Sequence, residues 1–106
     1  MGDTPLPPPG SWSLEFSAPS PNPARSSARA SYTVPASSEG APYEIAVYDV
    51  SGRRIRTLER GTARAGNFSA AWDLRTANGQ PAGEGLYFMR ITLGSLMQSR
   101  KVAVVH

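Results

Sequence analysis

Residues 83–105 read GEGLYFMRITLGSLMQSRKVAVV, two alternating runs about the dipeptide Gly94-Ser95. A period of two sends successive side chains to opposite faces of a strand. A glycine-containing pair between two such runs closes a hairpin. The feature therefore commits this end of the chain to antiparallel sheet. In the first run Tyr87, Met89, Ile91 and Leu93 share a face that reads as core, and Phe88 points the other way.

The rest of the chain repeats the pattern, and no stretch sustains helical periodicity. Trp12, Leu14 and Phe16 alternate with small polar residues and predict a strand, which Pro19, Pro21 and Pro23 must end. Ala28 to Val34 is the next strand, with Ala28, Ala30, Tyr32 and Val34 on one face. Tyr43 to Val50 is the most apolar run and predicts a central strand. Ser51-Gly52 turns it into Arg53 to Arg60, where Ile55 and Leu58 differ in parity, so a bulge or an early end is expected. Asn67 to Leu74 places Phe68, Ala70, Trp72 and Leu74 on a core face. Asn78-Gly79 is a further turn. About seven short strands in one small chain predict an all-β, antiparallel, Ig-like β-sandwich over residues 12–106. Residues 1–11, with Pro5, Pro7, Pro8 and Pro9, read as a Pro-rich linker, and the start reads as the boundary of a domain cut from a longer chain.

Composition narrows the chemistry. The 106 residues suffice for one domain with one modest core. There is no Cys, which excludes disulfides and Cys-based zinc sites. His106 is the sole histidine, so a His-centred catalytic or metal site is not expected. The net charge is +3, but the arginines are scattered, with short pairs only at Arg53-Arg54 and Arg100-Lys101, and no nucleic-acid footprint is formed. None of the carboxylates sits in a catalytic motif, no nucleophile elbow or phosphate loop is present, and Asp49 and Asp73 read as turn and surface groups. Neither a cofactor nor a small-molecule substrate is expected, and the domain reads as non-catalytic. Tyr48 and Phe88, both outward by parity, are the best candidates for a partner-binding patch.

The motifs then fall into a known order. Ser20-Pro21-Asn22-Pro23 looks like an opening Pro-Asn-Pro element, followed by the strand 28–34. Ile45 to Arg53, IAVYDVSGR, looks like a hairpin built on Asp49 and Gly52. Gly66 and then Trp72-Asp73, the Gly85-Leu86-Tyr87-Phe88 strand, and a basic-plus-aliphatic ending at Arg100 to Val105 complete the series. The set resembles the type A C-terminal sorting domain of proteins exported by the bacterial type IX secretion system. It is also similar to the Ig-like domain of flagellar hook-capping proteins. Ala24 stands where the sorting family often carries an aromatic residue.

The resemblance implies an address rather than an enzyme. Outer-membrane secretion machinery would recognise the folded domain, with an N-terminal cargo domain in cis. The product would be secreted or held at the cell surface, by way of the periplasm and outer membrane of a Gram-negative-type bacterium. The expected recognition residues are Arg100, Lys101, Val102, Val104 and Val105 of the last strand, with Phe88 and Tyr48. Asn22, Pro23, Asp49, Gly52, Gly66, Trp72, Gly85 and Tyr87 are the expected structural motif residues, and a monomer is expected. The alternatives are a carbohydrate-binding or adhesion module of a secreted enzyme, and a self-associating structural domain.

Overall fold

The computed structural model describes residues 14–106, so the linker reading of 1–11 and the place of Trp12 fall outside the described residues. Seven antiparallel strands build two sheets: β1 (Glu15–Phe16), β2 (Ala28–Val34), β3 (Pro42–Asp49), β4 (Arg54–Thr62), β5 (Gly66–Trp72), β6 (Gly85–Leu93) and β7 (Leu96–Val104). One sheet has the order β1-β2-β5 and the other β4-β3-β6-β7. β3 is central, as its apolar run requires. A single turn of 3₁₀ helix, Ala36–Ser38, lies between β2 and β3.

The alternation in sequence becomes the alternation of burial. Ala28, Ala30, Tyr32 and Val34 of β2 face Ile45 and Val47 of β3, Met89, Ile91 and Leu93 of β6, and Val102 and Val104 of β7. Trp72 lies fully buried among them, its ring edge-on to Tyr87 at 5.3 Å between centroids. Its indole N–H donates to the Arg75 carbonyl at 2.9 Å, so the one polar atom of this large side chain is satisfied. The Tyr87 hydroxyl donates to the Gly83 carbonyl at 2.7 Å. No buried side-chain polar atom among the described residues lacks a partner.

Several boundaries differ from the sequence reading. β1 spans only Glu15–Phe16; the segment after it stays beside β2, with Ser17 bonded to Ser31 and Ser20 to Arg29, but its prolines interrupt a continuous ladder. β4 runs on to Thr62, with register shifts against β3 at Ile45/Ala46 and Val47/Tyr48. The bulge anticipated from Ile55 and Leu58 is therefore present, and both side chains pack against the core from the β4 edge. Leu74 is buried but lies beyond β5, with φ 61. Phe68 has the inward parity expected of it yet stays 40% exposed, because β5 is an edge strand and no further strand covers its ring.

Two turns need glycine. Gly52 takes φ 87 in the β3–β4 hairpin, and Gly94 takes φ 57 in the two-residue turn joining β6 to β7. Asp49 completes the first of these. Its Oδ1 accepts from the Ser51 amide at 2.9 Å, the Ser51 hydroxyl at 2.6 Å and the Arg53 amide at 3.0 Å.

Candidate functional site

The site begins with the outer face of the four-stranded sheet. Cross-strand register aligns Arg54 of β4 with Tyr48 of β3, Tyr48 with Phe88 of β6, and Phe88 with Lys101 of β7. The next rank holds Thr57, Ala46, Arg90 and Ser99. Tyr48 and Phe88 are half-buried, screened by neighbouring side chains of their own face. The Arg90 guanidinium sits 4.4 Å from the Tyr48 ring centroid, and that of Arg54 sits 5.8 Å away, so the ring is flanked by two cations. Arg54 also pairs with Glu44 at 2.9 Å. In the third rank Glu44 stands between Arg60 and Thr92, the one carboxylate of the three ranks against Arg54, Arg60, Arg90 and Lys101. Leu86, Met97 and Val50 add exposed apolar surface around it. Arginine, tyrosine, phenylalanine and methionine on a flat face are what protein interfaces are enriched in, and the excess of cations favours an acidic partner.

The expected recognition residues of β7 do not form one surface. Lys101 is exposed on this outer face beside Phe88. Arg100 has the opposite parity, and its Nε donates to the Phe16 carbonyl at 2.8 Å, tying β7 to β1 across the sandwich. Gln98 does the same to the Leu14 carbonyl at 2.7 Å. Val102 and Val104 are fully buried, so their side chains serve the core and present nothing to a partner. Val105 is half-buried, and its amide donates to the Ala24 carbonyl at 3.0 Å.

The Pro-Asn-Pro element meets β7 directly. Asn22 Oδ1 accepts from the Ala103 amide at 2.9 Å, and Nδ2 donates to the Lys101 carbonyl at 3.4 Å. Two residues on, the Ala24 amide donates to the Ala103 carbonyl at 2.7 Å, forming a parallel bridge to Val104. Pro21 and Pro23 both follow cis peptide bonds. Ala24 itself is fully buried, where the sorting family often carries an aromatic residue. The outer edge of β7 is thus covered over its second half.

The remaining motif residues are structural in their contacts. Gly66, at φ 137, lies under the Phe68 ring, which a Cβ there would approach to 3.5 Å. Gly85 opens β6 at φ 152. Trp72 and Tyr87 form the buried aromatic pair described above. Sequence reasoning missed Arg90 and Arg54 as members of the aromatic patch. Arg90 was findable, since it shares the parity of Phe88. Arg54 was not, because the β4 bulges shift its register.

On the opposite flank, between β4 and β5, a cleft of about 210 Å³ is lined by Tyr32, Tyr43, Glu59 and Phe68 among others. Glu59 Oε1 accepts from the Tyr32 hydroxyl at 2.8 Å and from the Tyr43 hydroxyl at 3.1 Å. Burial first, and then the Glu59 carboxylate, push the Tyr32 hydroxyl well above its ordinary pKa. The same two causes raise Tyr43. Both phenols therefore stay protonated and act as donors. No group of three or more potential metal ligands stands together among the described residues.

Comparison with known proteins agrees with this architecture. A sequence comparison with curated proteins gave no match. The dimeric latent PorU of Porphyromonas gingivalis contains a similar fold, at 22% identity and a TM-score of 0.66, over 88% of this chain and 9% of that one. PorZ, an essential bacterial surface component of the type-IX secretion system of the same organism, matches at 17% identity and a TM-score of 0.51, over 92% of this chain and 13% of that one. The likeness is one of fold, and it spans only a small part of each of those proteins. The FlgD Ig-like domain model matches residues 20–95, from the Pro-Asn-Pro element to the β6–β7 turn, and the chain belongs to that family.

Proposed function

We propose that this domain is a non-catalytic sorting and surface-attachment module of a larger exported bacterial protein, recognised in its folded state by outer-membrane secretion machinery. The observation that carries the reading is the tie between Asn22 and β7. Two motifs on which the sorting-domain resemblance rests, far apart in sequence, meet there. Lys101 takes its place beside Phe88 and Tyr48 only when β7 is held in register. A receptor reading that cationic, aromatic face would bind the folded domain and pass over the unfolded chain. The fold likeness to parts of PorU and PorZ supports the same reading. The cargo would lie N-terminal, and the destination would be the cell surface or the medium. A sugar-stacking module would need exposed coplanar rings, and Trp72 and Tyr87 are inside the core.

The test fuses the chain to the C-terminus of a periplasmic reporter in a bacterium with type IX secretion. The reporter is expected outside the outer membrane. The combination Tyr48→Ala, Phe88→Ala and Lys101→Glu should leave the domain folded and hold the reporter in the periplasm. Retention with the unaltered domain, or equal export in cells lacking the secretion apparatus, would sink the proposal.

A further inference from the structure

We infer that a second copy of this chain pairs with β5 edge to edge, continuing the three-stranded sheet across a two-fold axis at Ser69. The inference does not depend on the sorting reading. It follows from how the four sheet edges are guarded. The three-stranded sheet ends at β1 and β5, and the four-stranded sheet at β4 and β7. β1 is two residues long, and its flank is occupied by the bonds from Gln98 and Arg100. β7 is covered by Asn22 and Ala24. β4 carries two register breaks and the charges of Arg54, Arg56, Glu59 and Arg60. Short length, cover, bulges and charge are the devices that stop edges from pairing.

β5 has none of them. Its sequence, GNFSAAW, contains no charge and no proline, and its register with β2 is unbroken from Gly66 to Trp72. On β2, Arg29 exchanges both backbone bonds with Ser20, and the Ser31 carbonyl accepts from the Ser17 amide. The even-numbered residues of β2 therefore bond to β5, through Gly66, Phe68, Ala70 and Trp72. Asn67, Ser69 and Ala71 point their N–H and C=O groups outward, and among the described residues no backbone bond reaches them.

The strand complements itself. Antiparallel pairing about Ser69 sets Asn67 against the second copy's Ala71, and Ser69 against its own equivalent, each exchanging two backbone bonds. On the core-facing side every large residue then meets a small one. Phe68 faces Ala70 of the second copy, and Trp72 faces Gly66. The exposed Phe68 ring gains the cover it lacks in one copy alone. Charge does not select the occupant, since each copy carries +3 and the Arg29 guanidinium of β2 donates to Ser69 Oγ at 3.2 Å beside the axis; the match of large to small residues along β5 does.

One strand edge buries less than the roughly 1,200 Å² of an ordinary stable interface, so concentrated protein is needed. Sedimentation from about 10 μM to about 1 mM should show mass rising from the 11.3 kDa monomer toward twice that value. Over the same range, amide exchange at Asn67, Ser69 and Ala71 should slow while that at Phe68 and Ala70 stays constant. Ser69→Pro removes an outward N–H without touching the β2 ladder. It should fold, by circular dichroism, and remain monomeric. Should it fail to fold, the exchange pattern of the unaltered chain decides alone. A monomer throughout, concentration-independent exchange at the three amides, or a folded Ser69→Pro chain that associates like the original would each overturn the inference.

Discussion

Asn22→Ala tests whether the Pro-Asn-Pro element holds β7 in place. The substitution removes one good hydrogen bond, from the Ala103 amide to Oδ1 at 2.9 Å. The second, from Nδ2 to the Lys101 carbonyl at 3.4 Å, is near the distance at which such a contact stops contributing and is counted as nothing. Asn22 is exposed, so water takes over the freed amide. The loss is then the net worth of a neutral bond, about 1 kcal/mol, rather than the larger penalty of a buried orphan. The backbone bonds between Ala24 and Ala103 or Val105 remain and prevent wider detachment. In a domain of this size about 1 kcal/mol lowers the melting temperature by roughly 4–8 °C. Urea unfolding should show a lower midpoint with an unchanged slope. Amide exchange should accelerate at Ala103 beyond the global change, which Met89 in the covered strand β6 reports. A melting temperature within about 1 °C of the parent, with Ala103 equally protected, would refute the clamp.

Three further outcomes follow from the same structure. Trp72→Phe deletes the bond to the Arg75 carbonyl and part of a fully buried ring. It should cost about 2–3 kcal/mol in urea melts, roughly 1 from the bond and the rest from lost packing. Val102→Ala should cost about 2 kcal/mol, because the side chain is fully buried, whereas Lys101→Ala should change stability by less than about 0.5 kcal/mol. A reversal of that order would assign the neighbours opposite roles. The Ser51 hydroxyl, the Arg53 amide and the Ser51 amide hold the Asp49 carboxyl below its ordinary pKa of 3.8. A depressed folded-state value gives stability that is present above the ordinary pKa and lost as pH falls below it. Asp49→Asn should therefore flatten the acid limb of a stability–pH curve below about pH 4, and an unchanged limb would count against the turn's dependence on that charge.

Much of the sandwich was legible because the core obeys local parity. Ala28 to Val34, Tyr87 to Leu93, and Val102 with Val104 alternate in sequence as they do in burial. Gly52 and Gly94 marked the hairpins because their turns need positive φ. Three things were not legible, each for a physical reason. The pairing of Arg54 with Tyr48 depends on two successive register shifts, which leave Leu58 and then Ile55 without a β3 partner, and a break of parity marks a bulge without saying how many there are. The direction of Arg100 depends on a carbonyl far away in sequence, at Phe16. The exposure of Phe68 depends on sheet order, which periodicity does not encode.

Sheet order also decides which edge is open. The last strand carries most of the recognition residues expected from sequence, the basic pair Arg100-Lys101 among them. In the fold, that strand is the better defended of the two long edges that flank no bulge. Its second half is bonded to Asn22 and Ala24, and its inward side is bonded by Arg100 to Phe16 of β1 and by Gln98 to Leu14 just before it. What β7 offers a partner is a side chain, Lys101, on a broad face shared with Tyr48, Phe88 and Arg90. What β5 offers is backbone. The two surfaces lie on different sheets, so a copy bonded along β5 leaves the cationic face uncovered. Recognition by an acidic partner and pairing of copies are then compatible in one assembly. A β5-paired dimer would present two such faces, and a partner with two acidic sites would bind it with an avidity the monomer lacks. Ser69→Pro should therefore weaken binding to such a bivalent partner while leaving binding to a single acidic site unchanged.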